Sequence, residues 1–199
     1  STERTDPIHG WIARYSWGDD YHEVLRGRLE TLVEQLRAQV GEELEAKIYV
    51  DTGPLLERAM AWAAGLGWIA KNTCLINEGI GSWFFVGEVL TNLELESGLP
   101  APDRCGTCTK CIEACPTGAI TEPYVLDATR CISYYTIEVK GAIPEPMRPQ
   151  MGRHVFGCDI CQDVCPWNRD AAVSLLPQFQ PRRFTNEPAD PCRDGTELP

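Results

Sequence analysis

Two closely spaced cysteine runs dominate the second half of the chain. The first has the pattern CxxCxxCxxxCP over residues 105–116, and the second has the shorter pattern CxxCxxxCP over residues 158–166. The second run lacks one cysteine at its start, and Cys131 is available to supply it. Loops with this spacing present three thiolates to three corners of a cubane, and the CP ending is typical of bacterial ferredoxins. The runs therefore predict two [4Fe–4S] clusters and a protein that transfers electrons.

The eight cysteines divide into two sets of four. In two-cluster ferredoxins the last cysteine of each run binds the cluster of the other run. By that rule, the ligands of the first cluster are Cys105, Cys108, Cys111 and Cys165. The ligands of the second cluster are Cys131, Cys158, Cys161 and Cys115. Cys74 is predicted to be a small buried apolar residue, and Cys192 is predicted to be exposed in a proline-rich tail.

Zinc and disulfide bonds are the competing interpretations of the cysteines. Zinc sites also use CxxC pairs, but they need neither the third cysteine nor the CP ending. Disulfides are typical of small secreted chains, and no signal peptide is evident. No apolar stretch approaches the ~20 residues that cross a bilayer. We therefore expect a cytoplasmic protein without membrane association, and the start at Ser1 leads us to expect a fragment or trimmed chain.

The net charge of −11 limits the possible partners. Phosphate neutralisation supplies most non-specific affinity for nucleic acid, so a chain this acidic is a poor generic binder. Any nucleic-acid contact would need a local basic patch. The scattered candidates, each of which could equally be an ordinary surface charge, are Lys71, Lys110, Arg130, Lys140, Arg148 and Arg153.

The hydrophobic pattern predicts an α+β protein with three regions. These are a front α/β domain over 1–100, a bacterial-ferredoxin-like domain with two clusters over 101–175, and a poorly ordered tail over 176–199. The predicted front elements are a helix from Asp19 or Asp20 to about residue 45, a strand over 47–51, a helix over about 55–65 and a strand or strand pair over 82–90 with a bulge at Gly87. Residues 136–153, which contain three prolines, are predicted to form an excursion like a lid.

The front domain has its own unusual features. Asp51 ends a predicted strand before Thr-Gly-Pro, a position that would fix an acid and expose it, although it could also cap the next helix. Arg58 could pair with Asp51 or bind a cofactor, or it could be a plain surface cation. Glycines over 65–67 and 79–87 allow the backbone to approach a ligand closely, which favours a large, flat cofactor.

Several linked motifs resemble the epoxyqueuosine reductase family. They span roughly residues 10–185 in the family's order. The motifs are Trp17-Gly-Asp-Asp-Tyr-His22, Asp51-Thr-Gly-Pro-Leu-Leu-Glu-Arg58, Gly65-Leu-Gly-Trp-Ile-Ala-Lys-Asn-Thr73, Gly81-Ser-Trp-Phe-Phe-Val-Gly-Glu-Val-Leu-Thr91 and Cys165-Pro-Trp-Asn168. Ala70 departs from the glycine that the family usually has before Lys-Asn-Thr.

The resemblance implies a specific reaction and cofactor. The family reduces epoxyqueuosine to queuosine in the anticodon loop of tRNA, using cobalamin that two [4Fe–4S] clusters reduce with electrons from an external donor. It makes Asp51 the expected proton donor, with burial raising its pKa. The expected cobalamin contacts are Asp51, Arg58, Lys71, Leu75, Ile76, Ser82 and Val86 from the front domain and Ser133, Cys158 and Asp159 from the cluster domain.

The resemblance also predicts that this chain binds tRNA weakly. Family members have roughly 80 further residues ahead of the first motif, and many carry helical repeats after the clusters that bind tRNA. We therefore expect weak tRNA affinity from this chain by itself. Two other functions are weighed: a cobalamin-dependent reductive dehalogenase, which usually has a tyrosine proton donor, and a ferredoxin-like electron carrier, which would bind no cobalamin.

Overall fold

The computed structural model describes residues 10–182, which form short strands and helices in alternation. The eight strands are β1 Trp11–Ile12, β2 Ala46–Tyr49, β3 Trp68–Ile69, β4 Leu75–Ile76, β5 Glu88–Thr91, β6 Ile120–Glu122, β7 Val125–Leu126 and β8 His154–Phe156. The five α-helices are α1 Tyr21–Val40, α2 Glu57–Ala63, α3 Lys110–Ala114, α4 Arg148–Met151 and α5 Ile160–Asp163. The strands pair into four two-stranded sheets, so the mixed α and β character expected from the sequence is confirmed.

Helix α1 begins where the sequence predicts and ends earlier. The Asp20 side chain accepts a hydrogen bond from the backbone N–H of His22, as an N-cap residue does. The predicted end near residue 45 is wrong, because Gly41 adopts a positive φ of 106° and stops the helix after Val40. Leu44 is buried in the loop that follows, so its apolar character serves tertiary packing and not the helix.

Strand β2 pairs with β5 in a regular antiparallel ladder, with Tyr49 opposite Glu88. The predicted strand over 82–90 is wrong for its first part, because residues 83–87 carry no regular strand. The ladder contains no bulge at Gly87. That glycine serves packing, since a methyl group there would lie 2.8 Å from the Leu29 side chain of α1.

Strands β3 and β4 form a hairpin that the sequence analysis missed. The glycines at 65 and 67 predict only a bend here. Trp68, Ala70 and Ile76 of the hairpin are buried, and Cys105, Cys165 and Trp167 pack against them. The Trp68 and Trp167 rings meet edge to face with centroids 5.0 Å apart. This hydrophobic core therefore joins the hairpin of the front region to the cysteine-rich region.

The front and cysteine-rich regions also share a parallel sheet. Strand β1 pairs with β8, and the Trp11 backbone N–H donates to the Arg153 carbonyl over 2.6 Å. The predicted excursion contains a π-helix, Tyr134–Glu138, at its start and α4 near its end. It leads directly into β8 and so returns the chain to the front region.

The first residues of the predicted tail pack against the front region. Phe179 lies in a 3-10 turn, and its ring centroid is 5.1 Å from that of Phe85. The backbone N–H of Arg182 donates to the Trp17 carbonyl over 2.9 Å. Residues 177–182 therefore differ from the poorly ordered tail that composition predicted. The rest of that tail, including Cys192, lies outside the described residues.

Within residues 10–182, no helix combines the length and the apolar character that crossing a membrane requires.

Candidate functional site

Four cysteines line one cavity in the arrangement that the crossover rule predicts. The cavity has a volume of about 40 Å³, and Cys105, Cys108 and Cys111 from the first run meet Cys165 from the second run there. Cys115, the last cysteine of the first run, does not line it. We name this space the first cavity. Its cysteine lining is the predicted ligand set of the first cluster.

The other four cysteines are also neighbours. The sulfur of Cys158 lies within electrostatic range of Cys131 and Cys161, and Cys161 lies within range of Cys115. Among residues 10–182, no three Cys, His, Asp or Glu side chains meet at the spacing of a single-ion site. These interactions link the four cysteines predicted to bind the second cluster, and Cys161 also lies within range of Cys111 of the first set.

Burial makes several of these thiols hard to ionise without a metal. It raises the pKa of Cys111 to about 11 and that of Cys158 to about 12. Thiolates and not thiols bind iron, so cluster assembly must release these protons, and assembly is thereby coupled to folding of the loops.

Buried polar groups of the β3–β4 hairpin contact the first cysteine loop. The Lys71 ammonium donates to the carbonyl oxygens of Gly106 and Cys108 over 2.6 and 3.0 Å. The Trp68 indole N–H is buried without an oxygen or nitrogen acceptor among the described residues, and it faces the Cys105 sulfur. An unsatisfied buried donor beside a ligand sulfur fits a cluster at this position, because cluster sulfurs accept such hydrogen bonds.

A second cavity of about 170 Å³ brings together part of the predicted cobalamin contacts. Of the predicted residues, it is lined by Arg58, Leu75, Ser82 and Val86. Sequence reasoning missed the other lining residues, which are Cys74, Phe84 and Gln162. Cys74 was expected only to fill apolar space, but its thiol also contacts that of Cys161. The second cavity therefore borders a predicted ligand of the second cluster.

Ser82 connects this cavity to the cysteine-rich region. Its hydroxyl donates to the Gln162 side chain over 2.8 Å, and its backbone N–H donates to Asn168 Oδ1 over 2.7 Å. Asn168 can approach only because residue 81 is glycine. A methyl group at Gly81 would lie 2.2 Å from Asn168 Oδ1, and the φ of +70° is one that residues with a side chain rarely adopt.

Asp51 lies two residues after the end of β2, which stops at Tyr49 and not at residue 51 as predicted, and its position is strained and exposed. Its φ of +57° is in the left-handed region, which is uncommon for residues other than glycine. Tyr21 donates its hydroxyl hydrogen to Asp51 Oδ2 over 2.5 Å, and His22 Nε2 lies 3.4 Å from the same oxygen. The Asp51 side chain is 58% exposed, so the described residues do not provide the burial that the sequence analysis invoked.

Two glutamates stand behind Asp51. Glu57, in the first turn of α2, accepts a hydrogen bond from the backbone N–H of Asp51. The Glu88 carboxyl lies beside Glu57, and both of its oxygens are shielded from solvent without a hydrogen-bond donor among the described residues. Burial, together with repulsion from Glu57, raises the pKa of Glu88 to about 7.

The remaining predicted cobalamin contacts lie away from the second cavity. Lys71 and Ile76 line the first cavity. Asp159 is 2% exposed; it accepts the Arg14 backbone N–H over 2.9 Å, while burial raises its pKa. Ser133 precedes the π-helix. Lys71 is also too buried, at 9% exposed, to serve the surface basic patch considered for nucleic acid.

Comparison with known families defines the class of the cysteine-rich region. A family model described as "4Fe-4S double cluster binding domain" matches residues 104–168. This region is therefore a double-cluster iron–sulfur domain, and the prediction of iron–sulfur clusters is confirmed at that level. A second model, described as "Epoxyqueuosine reductase QueG, DUF1730", matches residues 1–52.

Similar proteins cover nearly the whole chain. An epoxyqueuosine reductase of Xanthomonas campestris is 51% identical over 185 residues, covering 91% of this chain and 52% of the relative. The Synechocystis enzyme is 52% identical over 178 residues, covering 88% of this chain and 61% of its own length. The chain is thus a relative of the epoxyqueuosine reductases. It spans about half the length of the curated relatives it matches.

Solved structures agree with the sequence comparison. An epoxyqueuosine reductase bound to an epoxyqueuosine-modified stem loop of tyrosine tRNA superposes with a TM-score of 0.83 at 43% identity, covering 87% of this chain and 45% of that one. A Bacillus subtilis epoxyqueuosine reductase gives a TM-score of 0.81 at 42% identity, covering 87% and 45% of the two chains, and its catalytic aspartate loop is swung out of the active site.

Proposed function

We propose that this protein reduces epoxyqueuosine to queuosine in the anticodon loop of tRNA, with Asp51 as the proton donor and a corrinoid at the second cavity. The observation that carries the proposal is the position of that cavity. Cys74 lies in its lining and contacts Cys161, a predicted ligand of the second cluster. Electrons held by the clusters would therefore have a short path to whatever occupies the cavity.

Helix α2 connects the cavity to the proton donor. Glu57 binds the backbone of Asp51, and the next residue, Arg58, lines the cavity. The Arg58 guanidinium donates to the Thr73 carbonyl, which fixes its position at the cavity wall. A ligand against Arg58 would thus lie close in the fold to the turn that carries Asp51.

The lining fits one side of a flat, largely apolar cofactor. Leu75, Phe84 and Val86 supply apolar surface, and Arg58 and Ser82 supply polar groups at its edge. The cavity volume of about 170 Å³ is smaller than the roughly 300–1,000 Å³ of small-molecule sites, so this lining would form only part of a larger site. A corrinoid is larger than the enclosed space, so it would extend onto the adjoining surface. When bound, it would supply a metal centre through which electrons reach the substrate.

The reaction defines what the protein's own residues must do. Conversion of an epoxide to an alkene consumes two electrons and two protons and releases water. Asp51 would deliver a proton to the epoxide oxygen as its bond to carbon breaks. The Tyr21 hydroxyl orients the Asp51 carboxyl by donating to Oδ2. Burial and the hydrogen bond to Asp51 raise the pKa of Tyr21, so it remains a neutral donor.

Substitution of Asp51 tests the proposal directly. We expect Asp51→Asn to lower turnover of an epoxyqueuosine stem loop by ~10²–10⁴-fold, because general-acid help of that size is lost. Cluster content and corrinoid binding, followed by absorption spectra of the anaerobically reconstituted chain, should not change. Asp170→Asn, at an exposed aspartate, is the matched control. Unchanged turnover in Asp51→Asn with the corrinoid bound would remove Asp51 from the reaction.

Corrinoid and tRNA binding test the remaining parts. A chain with full iron content that binds no cobalamin would instead be an electron carrier. We expect weak binding of the tRNA stem loop, because the net charge of −11 opposes phosphate contacts. Tight, strongly salt-dependent retention in a filter-binding titration would contradict that expectation.

A further inference from the structure

The turn of the β3–β4 hairpin is buried between the two cysteine loops. Lys71 and Asn72 at this turn are 9% and 4% exposed. Lys71 donates to carbonyls of the first loop, whereas the Asn72 amide donates to the Cys161 carbonyl of the second loop over 3.3 Å. One short segment of the front region therefore touches both predicted cluster sites.

The groups presented to the first site are positive or hydrogen-bond donors. The Lys71 ammonium holds the loop at Gly106 and Cys108, and the Lys71 backbone N–H and the Trp68 indole N–H both face the Cys105 sulfur. Lys110 also lines the first cavity. Asp103 is the opposing charge: it accepts the Cys105 backbone N–H over 2.8 Å, but it is exposed, so solvent screens it more than it screens Lys71.

The second site has a different environment. The Cys74 thiol contacts the Cys161 sulfur, and when Cys161 is a thiolate bound to a cluster Cys74 would be the weak hydrogen-bond donor of the pair. The buried carboxylate of Asp159 adjoins Cys158, and Arg14 lies 3.9 Å from it. Arg14 is shared with Asp163, so two carboxylates face one guanidinium. Arg58 also acts electrostatically on Cys74. The second site therefore has two cations against two carboxylates, whereas the first site has two cations against one exposed carboxylate and is the more positive of the two.

We propose that the β3–β4 hairpin makes the cluster held by Cys105, Cys108, Cys111 and Cys165 the more easily reduced of the two. Reduction adds a negative charge to a cluster, and nearby cations and N–H donors to its sulfurs stabilise that charge. The stronger reductant is then the second cluster, which borders the second cavity through Cys74. This inference rests on the two proposed clusters and not on the corrinoid or the tRNA.

Replacement of the lysine charge tests the inference. Lys71→Gln keeps amide hydrogens for the loop carbonyls and removes the charge. In a redox titration of the reconstituted full chain followed by electron paramagnetic resonance, we expect the higher-potential couple to become at least tenfold harder to reduce. That change corresponds to about 59 mV for a one-electron couple. The lower-potential couple should stay in place, and exposed Lys140→Gln, the matched control, should move neither couple.

Two further variants keep the test decisive if Lys71→Gln fails to assemble its clusters. Trp68→Phe keeps an aromatic ring in the core but removes the indole N–H, so it should lower the same couple. Cys74→Ala should move only the lower-potential couple, because its thiol faces Cys161. Unchanged potentials in Lys71→Gln or Trp68→Phe at full iron content, or a shift confined to the lower-potential couple, would overturn the inference. Potentials are measured without substrate, so a chain inactive on epoxyqueuosine would still give either result.

Discussion

The joint between the hairpin and the cysteine loops is buried, whereas the turn that carries Asp51 is exposed. At the joint, Lys71 and Asn72 are less than a tenth exposed and their side chains bind backbone carbonyls of the cluster loops. At the turn, the Asp51 side chain is 58% exposed and is held by Tyr21 and Glu57. The joint, where we propose that electrons are held, is therefore fixed by burial, and the turn that carries the proposed proton donor is fixed by a few side-chain hydrogen bonds.

A solved structure of a relative offers a comparison for the exposed turn. In the Bacillus subtilis epoxyqueuosine reductase, the catalytic aspartate loop is swung out of the active site. A turn held by side-chain hydrogen bonds can open with little loss of packing, since local opening draws on regions with few buried apolar contacts. Cluster loops that moved in the same way would change the distances for electron transfer. Substitutions in each region measure how differently the buried joint and the exposed turn respond to the loss of a contact.

The largest effect is expected at the crossover cysteines of the joint. Cys115→Ser should remove the second cluster, although Cys115 belongs to the first run, and iron content should fall to about half. Cys165→Ser should remove the first cluster instead, because Cys165 lines the first cavity. Paramagnetic resonance of the reduced proteins distinguishes the two losses. If Cys115→Ser and Cys108→Ser abolished the same signal, the assignment would be wrong.

A substitution at Gly81 should damage the joint without touching a ligand. Gly81→Ala places a methyl group 2.2 Å from Asn168 Oδ1 and 2.9 Å from the Trp167 carbonyl, at a φ of +70°. We expect a loss of roughly 1–3 kcal/mol in the free energy of unfolding, measured by chemical denaturation under anaerobic conditions. Gly27→Ala in α1 is the control, because no atom lies within 4 Å of the added methyl group, and it should stabilise the protein by roughly 0.5–1 kcal/mol. Equal effects of the two substitutions would refute the packing argument.

Substitution of Asn72 should destabilise the protein less than Gly81→Ala does, and it should act on the second cysteine loop. Its amide donates to the Cys161 carbonyl, and its oxygen accepts the Cys74 N–H over 3.2 Å. Asn72→Ala should cost about 1 kcal/mol in unfolding free energy and speed the release of iron to a chelator. Exposed Asn92→Ala, which removes hydrogen bonds to the 43–45 loop, should leave iron release unchanged. Equal release rates for wild type and Asn72→Ala would mean that this contact does not hold the loop.

The smallest effect on stability is expected at Glu88, which lies behind Asp51, and this effect depends on pH. The pKa of Glu88 is raised from 4.5 to about 7, so the folded protein binds a proton more tightly than the unfolded chain does. The stabilisation is complete below pH 4.5 and is lost as pH rises through about 7. Glu88→Gln should therefore flatten the fall in melting temperature between pH 5.5 and 8.5 and be the more stable protein at the upper end. Exposed Glu94→Gln should keep the wild-type slope; a wild-type slope in Glu88→Gln would show that Glu88 does not titrate in this range.

The sequence predicted features that depend on neighbouring residues better than features that depend on distant contacts. The Asp20 cap depends on residues one or two positions away, and it was predicted correctly. The strand proposed over 82–90 failed because tertiary packing places an irregular segment there, against α1 and Asn168. The ring contacts of Phe179 reversed the composition-based expectation for the start of the tail.

The cysteine spacing by itself determined that this chain carries an iron–sulfur domain, because three cysteines of the first run lie within the seven residues 105–111 and the geometry of such a loop is local. Only the tertiary structure decided which groups surround those loops. Lys71, Asn72 and Cys74 are separated from the cysteine-loop residues they contact by more than 30 positions, and they reach them through a hairpin whose burial depends on the whole core. Charge and hydrogen bonding around a buried site depend on such non-local contacts, which residue spacing does not encode.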